Sequence, residues 1–149
     1  MSVERTLVLC KPDAVQRGLV GKIVARLEQK GLKLVGLKLA MLPETLAKEH
    51  YREHRSKSYF DELIAYIISS PVIVVAVEGE HAVEVVRALM GATNPQKAAP
   101  GTIRGDFGLD LTMNLVHGSD SLGSAERELG IFFAPSELYA YPLTLERWT

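Results

Sequence analysis

The chain has 149 residues, of which 47% are hydrophobic, so we expect a single compact domain spanning residues 1–149. Its 17 basic and 18 acidic residues give a net charge of −1, which argues against a field strong enough to bind a nucleic acid backbone or an anionic membrane. Cys10 is the only cysteine, which excludes a disulfide within the chain, and no apolar stretch resembles a signal peptide or membrane span, so we expect a cytoplasmic protein.

The first part of the sequence alternates short β-prone runs with an amphipathic stretch. Residues 6–10 are apolar and predict a first strand. Residues 20–30 place their apolar side chains on one helical face, and Gly31 follows where a helix C-cap usually lies, so a helix is predicted here. Residues 32–41 predict a second strand, in which Gly36 permits a bulge.

The next part continues the alternation of helices and strands. Residues 44–53 and 60–69 predict two helices, and the uninterrupted apolar run at 72–77 predicts a central strand. A helix is predicted at 81–90 and a short last strand at 129–133. Four strands with paired crossovers predict a ferredoxin-like α+β fold, in which a βαββαβ core forms a four-stranded antiparallel sheet with helices on one face.

The segment 92–121 does not fit this regular pattern, because it combines prolines, glycines and polar residues without a sustained period. Long irregular segments inside compact domains are usually either functional or disordered. Ile103, Phe107 and Leu115 could anchor the segment on a core, which favours a functional loop over a disordered one.

Polar residues of this loop and of the segments before it have the chemistry of a phosphate site. Guanidinium groups bind two oxygens at once, an ammonium group supplies a point charge, and hydroxyl and amide groups fix the geometry. Each residue also has a structural explanation, since Arg87 lies in a last helical turn, where the helix dipole favours a cation. The set comprises Lys11, Tyr51, His54, Arg87, Thr93, Arg104, Asn114 and His117.

His117 is the candidate nucleophile of this set. A lone histidine is more often structural than catalytic, but Gly118 beside it would allow a ligand to approach the backbone, and Glu128 could orient an imidazole. A histidine with an ordinary pKa of about 6.5 is largely neutral at cell pH. Histidine can also form covalent intermediates, which divide a difficult transfer into two steps.

Two other short motifs resemble sequences of known nucleotide-binding proteins, but the rest of the chain does not match those proteins. The Gly-Lys pair at residues 21–22 lacks the glycine spacing and the following hydroxyl residue of a nucleotide-binding P-loop. The Asp-Phe-Gly triplet at 106–108 occurs in protein kinases, but this chain is too short for that fold and lacks its other motifs.

Four blocks of sequence carry a family resemblance. They are KPDAVQRGLVG at 11–21, TNP at 93–95, PGTIRGD at 100–106, and the segment from Asn114 to Ser121 that includes HGSDS. Together, in this order and across essentially the whole chain, they closely resemble the nucleoside diphosphate kinases.

The resemblance implies a phosphotransferase that moves the γ-phosphoryl group of a nucleoside triphosphate to a nucleoside diphosphate, with broad base and sugar specificity. It implies a ping-pong mechanism through a phosphohistidine at His117, with Lys11 also catalytic. Glu128 resembles the carboxylate that positions the ring, and Ser119 a partner of that carboxylate.

The resemblance also implies the ligands. Mg²⁺ would be held mainly by the nucleotide phosphates, with Asp120 as the one candidate protein ligand, and the chain would form a homo-oligomer, with a hexamer favoured over a tetramer. Tyr59 stands where the family usually has a phenylalanine that stacks on the base, and Lys57-Ser58 replaces a common Arg-Pro pair. The implied nucleotide-binding residues are Lys11, Tyr51, His54, Tyr59, Leu63, Arg87, Thr93, Arg104, Leu111 and Asn114.

Two alternatives have other functions. A non-catalytic relative could bind nucleotides as a regulatory subunit, and a ferredoxin-like domain could act only as an oligomerising module. The presence of both His117 and Glu128 argues against the first, because binding alone requires neither a nucleophile nor its orienting group. The arginines and the long loop argue against the second.

Overall fold

A computed structural model describes residues 2–149 as a four-stranded antiparallel sheet packed between helices. The strands are β1 (Val3–Cys10), β2 (Lys33–Ala40), β3 (Val72–Glu80) and β4 (Val116–Gly118). The helices are α1 (Pro12–Gln16), α2 (Val20–Lys30), α3 (Glu44–His50), α4 (Phe60–Ile67), α5 (Ala82–Met90), α6 (Ile103–Phe107) and α7 (Leu122–Phe132).

The sheet order confirms the predicted ferredoxin-like topology. The strands lie in the order β2-β3-β1-β4, and β1 pairs antiparallel with both β3 and β4. The path β1-α2-β2-β3-α5-β4 is therefore the βαββαβ core. A register shift between Leu34 and Gly36 places the predicted bulge in β2.

Both faces of the sheet are buried, which explains the uninterrupted apolar run of β3. Val75 and Val77 face the core formed with α2 and α5, so the two crossover helices share one face, as predicted. Val72 and Val74 face the second core, which α3, α4 and α7 cover with side chains such as Phe132. The sequence pattern predicted helices on one face of the sheet and did not indicate that α3, α4 and α7 would cover the other.

The last strand differs from the prediction. Residues 129–133, predicted as a strand, lie mainly in α7, and the true edge strand is the three-residue β4 within the segment predicted to be irregular. The apolar run Leu-Gly-Ile-Phe-Phe fits a short strand and a buried helical end equally well. Ser121 is the N-cap of this helix, and its side chain accepts a hydrogen bond from the Ser124 amide.

The long segment before β4 is anchored on the rest of the protein. It contains α6, whose Ile103 is fully buried, and Arg26 of α2 donates to Asp106 at 2.5 Å. Arg17 donates to the Phe107 carbonyl at 2.7 Å. Across residues 2–149 no helix has the length and apolarity needed to cross a membrane.

Candidate active site

His117 lies on β4 and pairs with Leu9 of the central strand β1. About a quarter of its side chain is exposed (24%), so one part of the ring is held by the protein and another faces a pocket. Since β4 is hydrogen-bonded into the sheet, the backbone of the candidate nucleophile is fixed by the core.

Glu128 comes to His117 from α7 and not from a strand. It lies in the second turn of the helix, is 4% exposed, and its Oε1 contacts Nε2 of the His117 ring. A carboxylate accepts from the N–H of a neutral imidazole, so this contact places the ring proton on Nε2 and leaves the lone pair on Nδ1. The expected pairing of these two residues is present in the structure.

A buried polar cluster lines the same pocket as the His117 ring. Lys11, directly after β1, donates from Nζ to Asn114 Oδ1 at 2.7 Å, and Asn114 donates to the Thr93 carbonyl at 3.0 Å. Arg104 of α6 donates to the carbonyls of Val116 at 2.6 Å and Asn114 at 3.2 Å. The loop and β4 are therefore connected through the functional side chains themselves.

Two cations of this cluster have lowered pKa values. Burial lowers the pKa of Lys11 to about 8, with a further contribution from Arg104 and an opposing one from Asp13. Burial and the neighbouring Arg87 lower the pKa of Arg104 to about 10. Both shifts arise mainly from burial, and in each case a neighbouring arginine adds to the shift, so a bound anion would stabilise the charged forms.

The pocket that these residues line has a volume of about 240 Å³. That is less than the roughly 300–1,000 Å³ of sites that enclose a whole ligand, so a nucleotide would extend over the rim. The lining includes seven of the ten predicted nucleotide-binding residues together with the candidate metal ligand Asp120. The seven that line it are Lys11, Tyr51, His54, Arg87, Thr93, Arg104 and Asn114, around His117 and Glu128.

The remaining predicted residues lie elsewhere. Tyr59 is 46% exposed and its hydroxyl lies 3.3 Å from His54 Nδ1, so it stands at the rim. Leu111 is 58% exposed on the loop. Leu63 packs against the core beneath α4 and, like Tyr59 and Leu111, does not line the pocket, so its part in nucleotide binding stays a prediction.

Gly118 and Ser119 follow His117 directly. The Ser119 hydroxyl is buried and hydrogen-bonds no group among residues 2–149, so the expected bond to Glu128 is not made. A Cβ added at Gly118 would lie 2.8 Å from the Met90 sulfur. The glycine therefore allows β4 to pack on α5, and it also lines the pocket, so the expectation that a ligand approaches its backbone stays a prediction.

His50 and Arg127 were missed by the sequence reasoning, although both line the pocket. The His50 ring lies edge-on to His117 with ring centres 4.7 Å apart, and burial, helped by His117 and Arg127, lowers the pKa of His50 to about 2. This ring is therefore neutral. His50 precedes Tyr51 at the end of α3, and only its neighbourhood to a predicted site residue could have drawn attention to it.

His50, His117 and Glu128 place ligand-type atoms within 4.8 Å of one another. The same pocket also carries Lys11, Arg87, Arg104 and Arg127, and this positive charge disfavours a bare divalent cation. The arrangement is better suited to a phosphate group that reaches a histidine nitrogen.

Comparisons with known proteins agree with this geometry. Residues 4–138 match the family model described as nucleoside diphosphate kinase. The nucleoside diphosphate kinase of Pelotomaculum thermopropionicum is 53% identical over 146 residues, which are 98% of each chain. That of Pyrococcus horikoshii is 57% identical over 142 residues, which are 93% of this chain and 90% of the relative.

A solved structure is also similar. The halophilic nucleoside diphosphate kinase from Halobacterium salinarum, determined in complex with CDP, has a TM-score of 0.96 and 53% identity, and the match covers 99% of this chain and 98% of that one. The protein is thus a phosphotransferase that acts on nucleotides. It belongs to the nucleoside diphosphate kinase family, whose reaction moves a phosphoryl group from a nucleoside triphosphate to a nucleoside diphosphate.

Proposed function

We propose that this chain transfers the phosphoryl group in two steps through Nδ1 of His117. The observation that carries the proposal is the contact between Glu128 and Nε2 of His117, in a pocket lined by cations. A neutral ring whose second nitrogen is held by a carboxylate presents Nδ1 as a nucleophile.

In the first step, Nδ1 attacks the γ-phosphorus, the N–P bond forms, and the bond from phosphorus to the bridging oxygen breaks. The nucleoside diphosphate leaves with that electron pair. A second diphosphate then enters the same site, its terminal oxygen attacks the phosphohistidine, and the N–P bond breaks. Because exchange between two triphosphates is nearly isoenergetic, an intermediate with a similarly high transfer potential suits this reaction.

The cations of the pocket have separate roles in this proposal. Arg87 and Arg104 stabilise charge on the equatorial oxygens of the transferring group, and Lys11, buried and bonded to Asn114, assists at the same group. Thr93, Tyr51 and His54 line the pocket and contact phosphates or ribose. Tyr59 and Leu111 are exposed and flank the base.

Mg²⁺ fits this arrangement as an ion carried in with the nucleotide. The pocket offers few carboxylates, and Glu128 is already engaged with His117, which leaves Asp120 as the exposed carboxylate nearest the nucleophile in sequence. One or two carboxylates plus substrate phosphates are a common Mg²⁺ environment. When bound, the ion would neutralise phosphate charge, while Asp120 would orient it.

The test is labelling with a γ-³²P nucleoside triphosphate in Mg²⁺ buffer, followed by a search for an acid-labile protein phosphate. The wild-type enzyme and His81→Asn should be labelled, because His81 is exposed and does not line the pocket. His117→Asn should bind nucleotide and remain unlabelled. A labelled His117→Asn would contradict the proposal, and nucleotide binding without labelling or turnover in the wild type would favour a regulatory relative.

The same proposal includes a cytoplasmic homo-oligomer, a hexamer before a tetramer. Apolar side chains remain exposed on two parts of the chain and could pack between subunits. They include Leu37, Leu39, Tyr139, Tyr141 and Trp148. Light scattering at micromolar concentration should give a hexamer, and a monomer would contradict the assembly.

A further inference from the structure

Leu115 lies between Asn114, which binds Lys11, and Val116, whose carbonyl binds Arg104. Its backbone is in the left-handed region with φ 76°. It is also fully buried. A branched side chain rarely adopts this conformation, so the surrounding structure must hold it there.

Two hydrogen bonds from the start of the chain hold this turn. The Leu115 N–H donates to Asp13 Oδ2 at 3.0 Å, and the Leu115 carbonyl accepts from the Lys11 N–H at 2.8 Å. Both polar groups of the left-handed residue are therefore held by the segment that carries Lys11.

The turn determines where the functional groups lie. Asn114, directly before it, binds Lys11 Nζ, and Val116, directly after it, binds Arg104 through its carbonyl. His117 follows one residue later on β4. A shift of the Leu115 backbone would thus move the amide, the guanidinium and the nucleophile together.

The carboxylate of Asp13 is itself held by a second group. Its Oδ1 accepts a hydrogen bond from the Tyr66 hydroxyl of α4, and burial, with Asp13, raises the pKa of Tyr66 well above its usual value. Asp13 forms no salt bridge with a residue in the range 2–149. Its two oxygens are therefore committed to Tyr66 and Leu115.

We propose that Asp13 is a positioning residue for phosphoryl transfer, whose carboxylate, held by Tyr66, maintains the left-handed turn at Leu115 and thereby places Asn114 and His117. The proposal rests on the proposed function of His117. Asp13 does not line the pocket and acts through the backbone of Leu115.

A control exists on the same helix. Gln16 of α1 donates to Ser70 at 2.7 Å, so it also ties α1 to the end of α4 but does not touch Leu115. Gln16→Ala therefore measures the general effect of loosening α1. Asp13→Asn keeps an oxygen for the Leu115 N–H and an amide that can donate to Tyr66, whereas Asp13→Ala removes both contacts.

The experiment measures, for each folded variant at pH 6.5, the single-turnover rate of His117 phosphorylation and the equilibrium affinity for a nucleoside diphosphate. We expect Asp13→Ala to lower the rate roughly 10- to 100-fold, the scale of a small misplacement of a nucleophile, with a much smaller change in affinity. Asp13→Asn should recover most of the rate, and Gln16→Ala should match the wild type.

A rate for Asp13→Ala within about twofold of that for Gln16→Ala would overturn the proposal, as would an equal loss of affinity and rate. If Asp13→Ala does not fold, Tyr66→Phe decides, and a wild-type rate in that variant would overturn the proposal. The wild-type enzyme distinguishes failure of the proposed function from failure of the Asp13 proposal. If the wild type carries no acid-labile phosphate on His117, the proposed function fails. If the wild type is labelled and the Asp13 variants are unaffected, only the role of Asp13 is overturned.

Discussion

Glu128 Oε1 contacts His117 through Nε2 alone, across the gap between α7 and β4. No hydrogen bond joins His117 Nδ1 to a residue within 2–149 in this structure. The carboxylate therefore decides which ring nitrogen carries the proton, and in the proposed mechanism the other nitrogen faces the incoming phosphate.

Replacing Glu128 by Gln tests this relationship. The amide keeps the size of the side chain but does not stabilise positive charge on the ring, and an orienting carboxylate of this kind can be worth up to about 10⁴-fold in rate. We expect phosphorylation of His117, measured by quenched flow, to slow by about 10²-fold or more. Glu126→Gln, an exposed residue of the same helix, is the control, and equal rates for both variants would rule out this role.

Activity should decline in alkaline buffer because of Lys11. Burial is the main cause, and Arg104 the second, of the lowering of the Lys11 pKa to about 8. The protonated ammonium therefore dominates below this pH and is lost above it. We expect kcat/KM, which reports the free enzyme, to fall as pH rises through about 8. Asp13 opposes this shift, so Asp13→Asn should move the decline to lower pH, and Lys11→Arg should remove it. An unchanged kcat/KM up to pH 10 would contradict the assignment.

Base selectivity should be small. In the proposed binding mode the base lies outside the pocket of about 240 Å³, against the exposed aromatic ring of Tyr59 and the exposed aliphatic side chain of Leu111. Stacking tolerates every base, whereas strong discrimination requires hydrogen bonds to the base edge. We expect kcat/KM values for purine and pyrimidine diphosphates, ribo and deoxy, to lie within about 10³-fold of one another.

The hydroxyl of Tyr59 is the control for that expectation. It lies 3.3 Å from His54 Nδ1, within hydrogen-bonding distance of another residue of the protein. Tyr59→Phe should therefore leave the order of base preferences unchanged. A single base favoured by more than about 10³-fold would indicate a hydrogen-bonding base pocket.

Gly105 should be required for stability of the loop that carries Arg104. A Cβ at this position would lie 2.0 Å from the Ala99 carbonyl oxygen, a backbone atom that cannot move aside cheaply. We expect Gly105→Ala to lower the free energy of unfolding by ~1–3 kcal/mol, as overpacking does. At Gly130, an added Cβ meets nothing within 4 Å, so Gly130→Ala in α7 should raise it by ~0.5–1 kcal/mol. Urea unfolding measures both, and equal effects would contradict the steric explanation.

Much of the fold followed from local patterns. The apolar run of β3, the amphipathic face of α2 and the left-handed Gly31 at its end are short-range features that a sequence displays directly. The motif around His117 similarly indicated the candidate nucleophile. The prediction was wrong at residues 129–133, because a five-residue apolar run has no period that separates a strand from a helical end.

Tertiary structure alone decided the contacts that join distant segments. Asp13 and Leu115 are 102 positions apart, and no periodicity connects a carboxylate near the N-terminus to a left-handed turn beside β4. His50 likewise reaches His117 only because α3 packs on the sheet face that carries Leu9, the partner of His117 in β1. The sequence by itself determined most of the elements and the candidate nucleophile, since these depend on neighbouring residues. Which groups hold that candidate in place depends on how the chain closes over tens of residues, and only the packed sheet and helices determine this.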